Sequence, residues 1–405
     1  MRKRIVTLHA AVAIGLWAHL ACAGEGAVLA AMDSAGLRMI GKGGENALVD
    51  GKVGKAVKLT YPANCKNVFF TVPFKGSPEW DKLDGFSFWV KGDGSKQLGG
   101  LQFIWNDDYA ARYDYAFPID STEWKKVYVP WTDLIPALAK PSCKLMGTGA
   151  GHNPPSKLKA FWIGKWWYWR EYGACSFTID NVQLEPKIDA DTTDYTPRGD
   201  PLARVLAKLK ARKPVTIVTM GDSLTDYKHW ANRQVNWPTV LKKTLEQKYG
   251  SKVTIVNPAI GGTELRQNLI LMPRWLARSP EPDLVTVCFG YNDWSDGMRG
   301  PMFLETHKYG VGRIRRMTKG KADVLLITTC PAVSRWDTMA ELAQATRDAA
   351  KARKAGLADI YKAFHAAGVE NKERLYCRDK THMGAPGHEL VAKTVAGAIE
   401  SGGKP

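Results

Sequence analysis

Pro214-Val215-Thr216-Ile217-Val218-Thr219-Met220, running into Gly221-Asp222-Ser223-Leu224-Thr225-Asp226, decides the fold of this chain. The first seven residues are an almost unbroken apolar and β-branched run, the pattern of a strand covered on both faces. The next six are turn formers, and helix-compatible sequence follows at 239–249. Similar runs recur at 253–257, 284–289 and 324–329, with helical stretches at 304–317 and 338–355. Apolar strands alternating with helices predict a parallel sheet between two helical layers, an α/β/α domain over 202–405.

In an open parallel sheet, the residues just after the strands gather at the carboxyl edge, where active sites form. Four such places here carry chemically suggestive side chains. A Ser at a strand-to-helix turn, Ser223, exposes its hydroxyl, and a helix starting after it would aim backbone N–H groups at the same spot. Asn257-Pro258-Ala259-Ile260-Gly261-Gly262 offers a glycine whose N–H can approach a substrate oxygen without a Cβ in the way. Gly290-Tyr291-Asn292-Asp293 offers an amide donor for a developing oxyanion. Asp379-Lys380-Thr381-His382 places a carboxylate three residues from an imidazole, the spacing at which one orients the other as general base. Each of the first three alone reads as a plain turn or a cap, and the rival for Asp379 and His382 is metal binding, weakened by the lack of nearby ligands at helix spacing. Four in this order have no common structural explanation.

Together these residues resemble the SGNH (GDSL-type) hydrolase family over about 210–400, with its four motif blocks represented by Ser223, Gly262, Asn292 and His382. Ala259 stands where that family often has an earlier glycine. The resemblance implies a flavodoxin-like sheet and a serine esterase mechanism. Ser223 attacks the ester carbonyl, His382 carries the proton and Asp379 orients His382, while the N–H groups of Ser223 and Gly262 and the Asn292 amide hold the oxyanion. It calls for no metal or organic cofactor, and no Cys-x-x-Cys or His-x-x-x-His spacing suggests a zinc site. Asp222, Asp226 and Asp293 read as scaffold that ties the loops. His229, Trp230, Trp237, Tyr291 and Trp294 lie near the motif residues in sequence and are candidates to line a sugar-sized cleft.

Residues 24–186 follow a different grammar. Short alternating aromatic and β-branched runs at 86–91, 101–105, 112–117 and 125–129 are broken by Gly, Asp and Pro turns, which predicts an all-β jelly-roll sandwich. The succession at 54–59, 84–92, 122–127 and 177–184 resembles the galactose-binding-like jelly roll of carbohydrate-binding modules. The densest aromatic run, Phe161-Trp162-Ile163-Gly164-Lys165-Trp166-Trp167-Tyr168-Trp169-Arg170, suggests a sugar platform through Trp166, Trp167 and Trp169, with Lys165 and Arg170 reaching hydroxyls or acidic groups. A strand buries every second residue, so about half of the run is expected in the core and the rest in solvent. Residues 187–201 read as a linker.

The chain starts with a basic head, Met1-Arg2-Lys3-Arg4, and an apolar stretch that ends in Ala21-Cys22-Ala23. This predicts a cleaved signal peptide over 1–23 and a secreted or periplasmic protein. Lipid attachment at Cys22 fits the preceding His19-Leu20-Ala21 poorly. No other stretch suits a membrane span. Processing leaves 54 of the 57 Lys and Arg against 40 Asp and Glu, so the formal charge falls from +17 to +14. Acidic polysaccharide suits that charge, whereas nucleic acid does not, because the basic residues are scattered and carry no nucleic-acid motif. Of the cysteines left, Cys330 and Cys377 are the pair whose bonding is first to be tested.

The expectation is a secreted carbohydrate esterase that removes acetyl or another small acyl group from polysaccharide. A lipase or arylesterase, and a non-catalytic polysaccharide-binding protein, remain open at this point.

Overall fold

A computed structural model describes residues 27–34, 37–40, 43–65 and 68–403. The expected signal segment, 1–23, lies outside the described residues. No helix among those described is long and apolar enough to cross a membrane.

The first domain is a sandwich of two antiparallel sheets. One runs in the order Glu45–Asp50, Lys55–Tyr61, Cys175–Glu185, Gly85–Lys91, Lys125–Pro130, with Val28–Ala30 also on Cys175–Glu185. The other runs Ile135–Pro136, Asp108–Pro118, Leu98–Trp105, Leu158–Lys165, Val68–Pro73, Arg38–Ile40. Aromatic residues at alternate positions fill the core: across the two sheets Phe86 lies 5.1 Å from Phe103 and Phe88 lies 5.0 Å from Phe117, and on neighbouring strands of one sheet Phe103 lies 5.4 Å from Phe161, ring centre to ring centre. Pairs at these separations favour one packing of the core over looser alternatives.

In the second domain five parallel strands lie in the order Val253–Val256, Val215–Gly221, Leu284–Cys288, Asp323–Ile327, Gly356–Ala358. By position in the chain that order is 2-1-3-4-5, the flavodoxin-like arrangement, with helices including Trp237–Tyr249, Gly300–Met317, Ala340–Arg353 and Ala385–Glu400 around it. Strand Leu284–Cys288 is buried at all five positions, as a central parallel strand should be.

The aromatic run departs from the alternation rule. In Leu158–Lys165 the inner face, Phe161 and Ile163, joins the sandwich core. The outer face is covered too, because Trp162 belongs to a second core shared with the hydrolase domain. Trp166 and Trp169, read as sugar-stacking residues, are 1% and 4% exposed in that same shared core, which also takes in Ile260, Met272 and Trp275 of the second domain. They lie beyond the strand end, where the two-residue period no longer applies. Lys165 is buried as well and donates to the carbonyl of Gly173 at 2.8 Å. Only Trp167 and Arg170 of the ten-residue run reach solvent.

Polar contacts reinforce this junction. Arg266, buried on the helix Leu265–Ile270, donates to the carbonyls of Leu138 at 3.0 Å and Cys143 at 2.7 Å and to Thr306 Oγ1 at 3.1 Å. Gln267 donates to Ala137 O at 2.9 Å, and Asp133 pairs with Arg313 and Arg316. Segment 187–201 is fastened to the second domain by Asp191, which accepts from Lys319 at 2.6 Å. Arg266→Met keeps an apolar stem but strands the buried carbonyl of Cys143, at roughly 1–3 kcal/mol, and releases the part-buried one of Leu138. Denaturant unfolding should show that loss, and a change under 0.5 kcal/mol would mean that the guanidinium does not hold the domains together.

All six described cysteines are thiols. Cys330 and Cys377 do not form the suggested pair, since their sulfurs point to different carbonyls, of Pro331 and Met383.

Candidate active site

Strand Val215–Gly221 ends in a residue that only glycine suits: a Cβ on Gly221 would sit 2.3 Å from Thr225 Oγ1. The chain can therefore fold back at once. Asp222 holds the turn, its Oδ1 accepting from Leu224 N at 2.9 Å and its carbonyl accepting from Thr225 N and Asp226 N. Asn232 fixes the far side through the carbonyls of Ser223 and Asp226, and Asn257 through that of Thr225. The next α-helix starts only at Trp237, so a tight turn, in place of the expected helix N-terminus, presents Ser223 and its N–H. Burial pushes the Asp222 carboxyl up to about 7.

His382 Nε2 lies 3.0 Å from Ser223 Oγ, and His382 Nδ1 lies 2.5 Å from Asp379 Oδ2. Asp379 Oδ1 also accepts from the N–H groups of Thr381 and His382. Partial burial works to raise the Asp379 carboxyl, and these bonds with the His382 ring outweigh it and hold it below the ordinary range. The loop is fixed by Cys377 N donating to His382 O at 2.7 Å and Lys380 N donating to Cys377 O at 2.9 Å. His229 stacks on the His382 ring at 4.2 Å, and Trp230 meets it edge-on at 5.7 Å. Burial, and then the neighbouring His382, lower the pKa of His229.

Three donors face the same cleft. Gly262, at φ +76, is in the left-handed region, and its N–H has no acceptor among the described residues. The preceding N–H, of Gly261, is taken by Asp226 Oδ2 at 3.1 Å, so the turn commits one glycine and leaves the other free. The N–H of Ser223 likewise has no acceptor among the described residues. Asn292 Nδ2 donates to Thr263 O at 3.0 Å and, at a long 3.4 Å, to Asp222 Oδ2, a weak bond that a substrate oxygen can displace. Asp293 is buried and accepts from Leu265 N at 3.1 Å, which ties the Asn292 turn to the Gly262 loop.

The cleft has a volume of about 650 Å³. Ser223, Gly262, Asn292, His382, His229, Trp230 and Tyr291 line it. Two aromatics expected there do not. Trp237 is fully buried at the start of its helix, with Nε1 donating to Thr225 Oγ1 at 3.2 Å. Trp294 turns away beneath the guanidiniums of Arg299 and Arg335, at 4.7 and 4.3 Å. Arg233, Arg274 and the first-domain residue Glu171 line the cleft without having been anticipated, and Arg170 lines it in place of a separate platform. Arg274 sits where the domains meet, donating to Trp169 O at 3.1 Å and Pro258 O at 3.0 Å. Among the described residues no group of three or more His, Cys, Asp and Glu side chains is arranged to hold a metal ion.

No curated protein matches the sequence. Similar solved structures include a lipase/acylhydrolase from Enterococcus faecalis, 22% identical over 47% of this chain and 98% of that one, with a TM-score of 0.38. An acetyl xylan esterase from Geobacillus stearothermophilus is 19% identical over 46% and 96%, with a TM-score of 0.37. The first domain is similar to the family 11 carbohydrate-binding module of a cellulosomal cellulase from Clostridium thermocellum, 16% identical over 42% and 99%, with a TM-score of 0.32. The model of the GDSL-like Lipase/Acylhydrolase family matches residues 219–390, which span the Ser223 turn, the Gly262 and Asn292 loops and His382, and the second domain of this chain is accordingly a GDSL-like lipase/acylhydrolase domain.

Proposed function

We propose that the protein is an exported serine esterase that removes acetyl or similarly small acyl groups from carbohydrate. The observation that carries the reading is the line Ser223 Oγ, His382 Nε2, His382 Nδ1, Asp379 Oδ2, at 3.0 and 2.5 Å, beside two unengaged N–H groups and the Asn292 amide. His382 takes the proton as Ser223 Oγ adds to the ester carbonyl, and Asp379 keeps Nδ1 protonated so that Nε2 stays the acceptor. Negative charge then grows on the carbonyl oxygen, where the N–H groups of Ser223 and Gly262 and Asn292 Nδ2 meet it. His382 returns the proton to the departing alcohol, and water, activated by the same nitrogen, releases the acid and restores Ser223.

The cleft supports a small acyl group and a polar alcohol. Its floor carries charged and hydrogen-bonding residues, and the exposed apolar face nearest His382 is Trp230, 54% exposed, a surface suited to stacking on a sugar ring. The test is acetate release by the wild-type chain from acetylated xylan, glucomannan and pectin, beside a series of 4-nitrophenyl esters of rising chain length. Acetate from at least one glycan, with activity falling beyond butyrate, is expected. Activity that rises with chain length and no acetate from any glycan would replace this reading by a lipase.

A further inference from the structure

The sandwich domain supplies part of the hydrolase cleft. Arg170 follows the short turn Trp167–Trp169 in a left-handed conformation, φ 58 and ψ −12, which disfavours a residue with a Cβ. The surroundings impose it. Trp166 and Trp169 are buried in the shared core, Trp169 O is held by Arg274, and Glu171 is held by Lys228 at 3.1 Å and Arg274 at 3.7 Å. Between these anchors Arg170 points back over the hydrolase loop: a Cβ built on Gly262 would lie 3.3 Å from Arg170 Nη2. Its guanidinium rests against the exposed Trp167 ring at 5.6 Å, leaving its hydrogen-bonding edge available.

Charges in the cleft are unevenly matched. Lys228 and Arg274 share the single carboxylate of Glu171. The Asp226 carboxylate accepts from the backbone of Gly261 and Lys228. Arg170 and Arg233, both exposed in the same cleft, have no carboxylate partner among the described residues. Two unpartnered guanidiniums beside a nucleophile match a ligand with its own planar anion.

We propose that Arg170, carried into the cleft by the first domain and aided by Arg233, binds the carboxylate of a uronic acid residue, so that the enzyme prefers acyl esters of acidic carbohydrate. This rests on the carbohydrate esterase reading above. The bond gained is a charge-assisted, two-pronged one from guanidinium to carboxylate, and a neutral sugar at that position leaves the guanidinium in water.

The experiment measures kcat/KM for acetate release from oligogalacturonides and from oligogalactosides of equal length, acetylated to the same degree, at low and at 0.5 M salt, the latter roughly the strength that screens exposed charges. Wild type should favour the acidic series by about 10- to 100-fold, the range of a charge-assisted hydrogen bond to one ionised group. Arg170→Ala should bring the ratio close to one, Arg170→Lys should keep part of it, and high salt should shrink the ratio in wild type and Arg170→Lys but not in Arg170→Ala. Arg233→Ala, at an exposed position, is the second variant and should reduce the ratio less. An unchanged ratio in Arg170→Ala, or equal wild-type rates on both series, overturns the assignment of Arg170 and leaves the esterase reading standing. No acetate from either series, while acetylated xylan or glucomannan releases it, overturns this inference and leaves the carbohydrate reading standing; no acetate from any of these glycans, while 4-nitrophenyl acetate is cleaved, overturns both.

Discussion

Replacing Ser223 by alanine should lower kcat on a soluble acetyl ester by about four to six powers of ten, with KM changed little. The size follows from what remains: the oxyanion donors still polarise the carbonyl, but the attacking atom becomes a water that nothing holds in line. The effect should be confined to chemistry. The hydrogen bond recorded for Ser223 Oγ is to His382 Nε2, and the turn is held by Asp222, Asn232 and Asn257 through other atoms. Thermal unfolding should therefore move by less than about 0.5 kcal/mol. A phosphonate ester should add its mass to the wild-type chain at the peptide containing Ser223 and leave the variant unlabelled. Labelling of both at another residue would remove Ser223 from its role.

Asp379→Asn should cost about four powers of ten in kcat while preserving the loop. The asparagine carbonyl can still accept from the N–H groups of Thr381 and His382, as Asp379 Oδ1 does. Its amide, however, becomes a donor toward His382 Nδ1, and the ring answers by placing its proton on Nε2. That nitrogen then faces Ser223 Oγ as a donor and cannot accept the serine proton. A fall of less than tenfold, with the variant folded, would show that the 2.5 Å contact is dispensable for orienting the ring.

The residues that follow parallel strands were readable because the period of those strands is so plain. Once 215–220, 253–256 and 284–288 are strands, topology alone brings Ser223, Gly262 and Asn292 to one edge, and Asp379 and His382 are locked together by a spacing of three. Trp237 and Trp294 show where proximity in sequence stops being informative. Each lies close to a motif, yet the direction of a side chain leaving a turn depends on backbone angles that no periodicity reports. Trp166 and Trp169 failed for another reason. They follow a strand whose outer face is covered, and whether such a stretch meets water or a second domain is a tertiary fact. The same fact hides Arg170 and Arg274. Arg170 was legible as a binding residue, but its true neighbour, Gly262, is 92 positions away in the chain.

The shared core sets a rule for engineering and for descent. A hydrolase half expressed from residue 202 would uncover the sides of the helices Leu265–Ile270 and Met272–Leu276 that pack on the sandwich strands, with Arg266 deprived of two of its three acceptors. A sandwich half alone would present Trp162, Trp166 and Trp169. Modules on flexible tethers can be shuffled between enzymes with little penalty. These two halves travel as a pair, and a substitution on either side of the seam is constrained by its counterpart on the other.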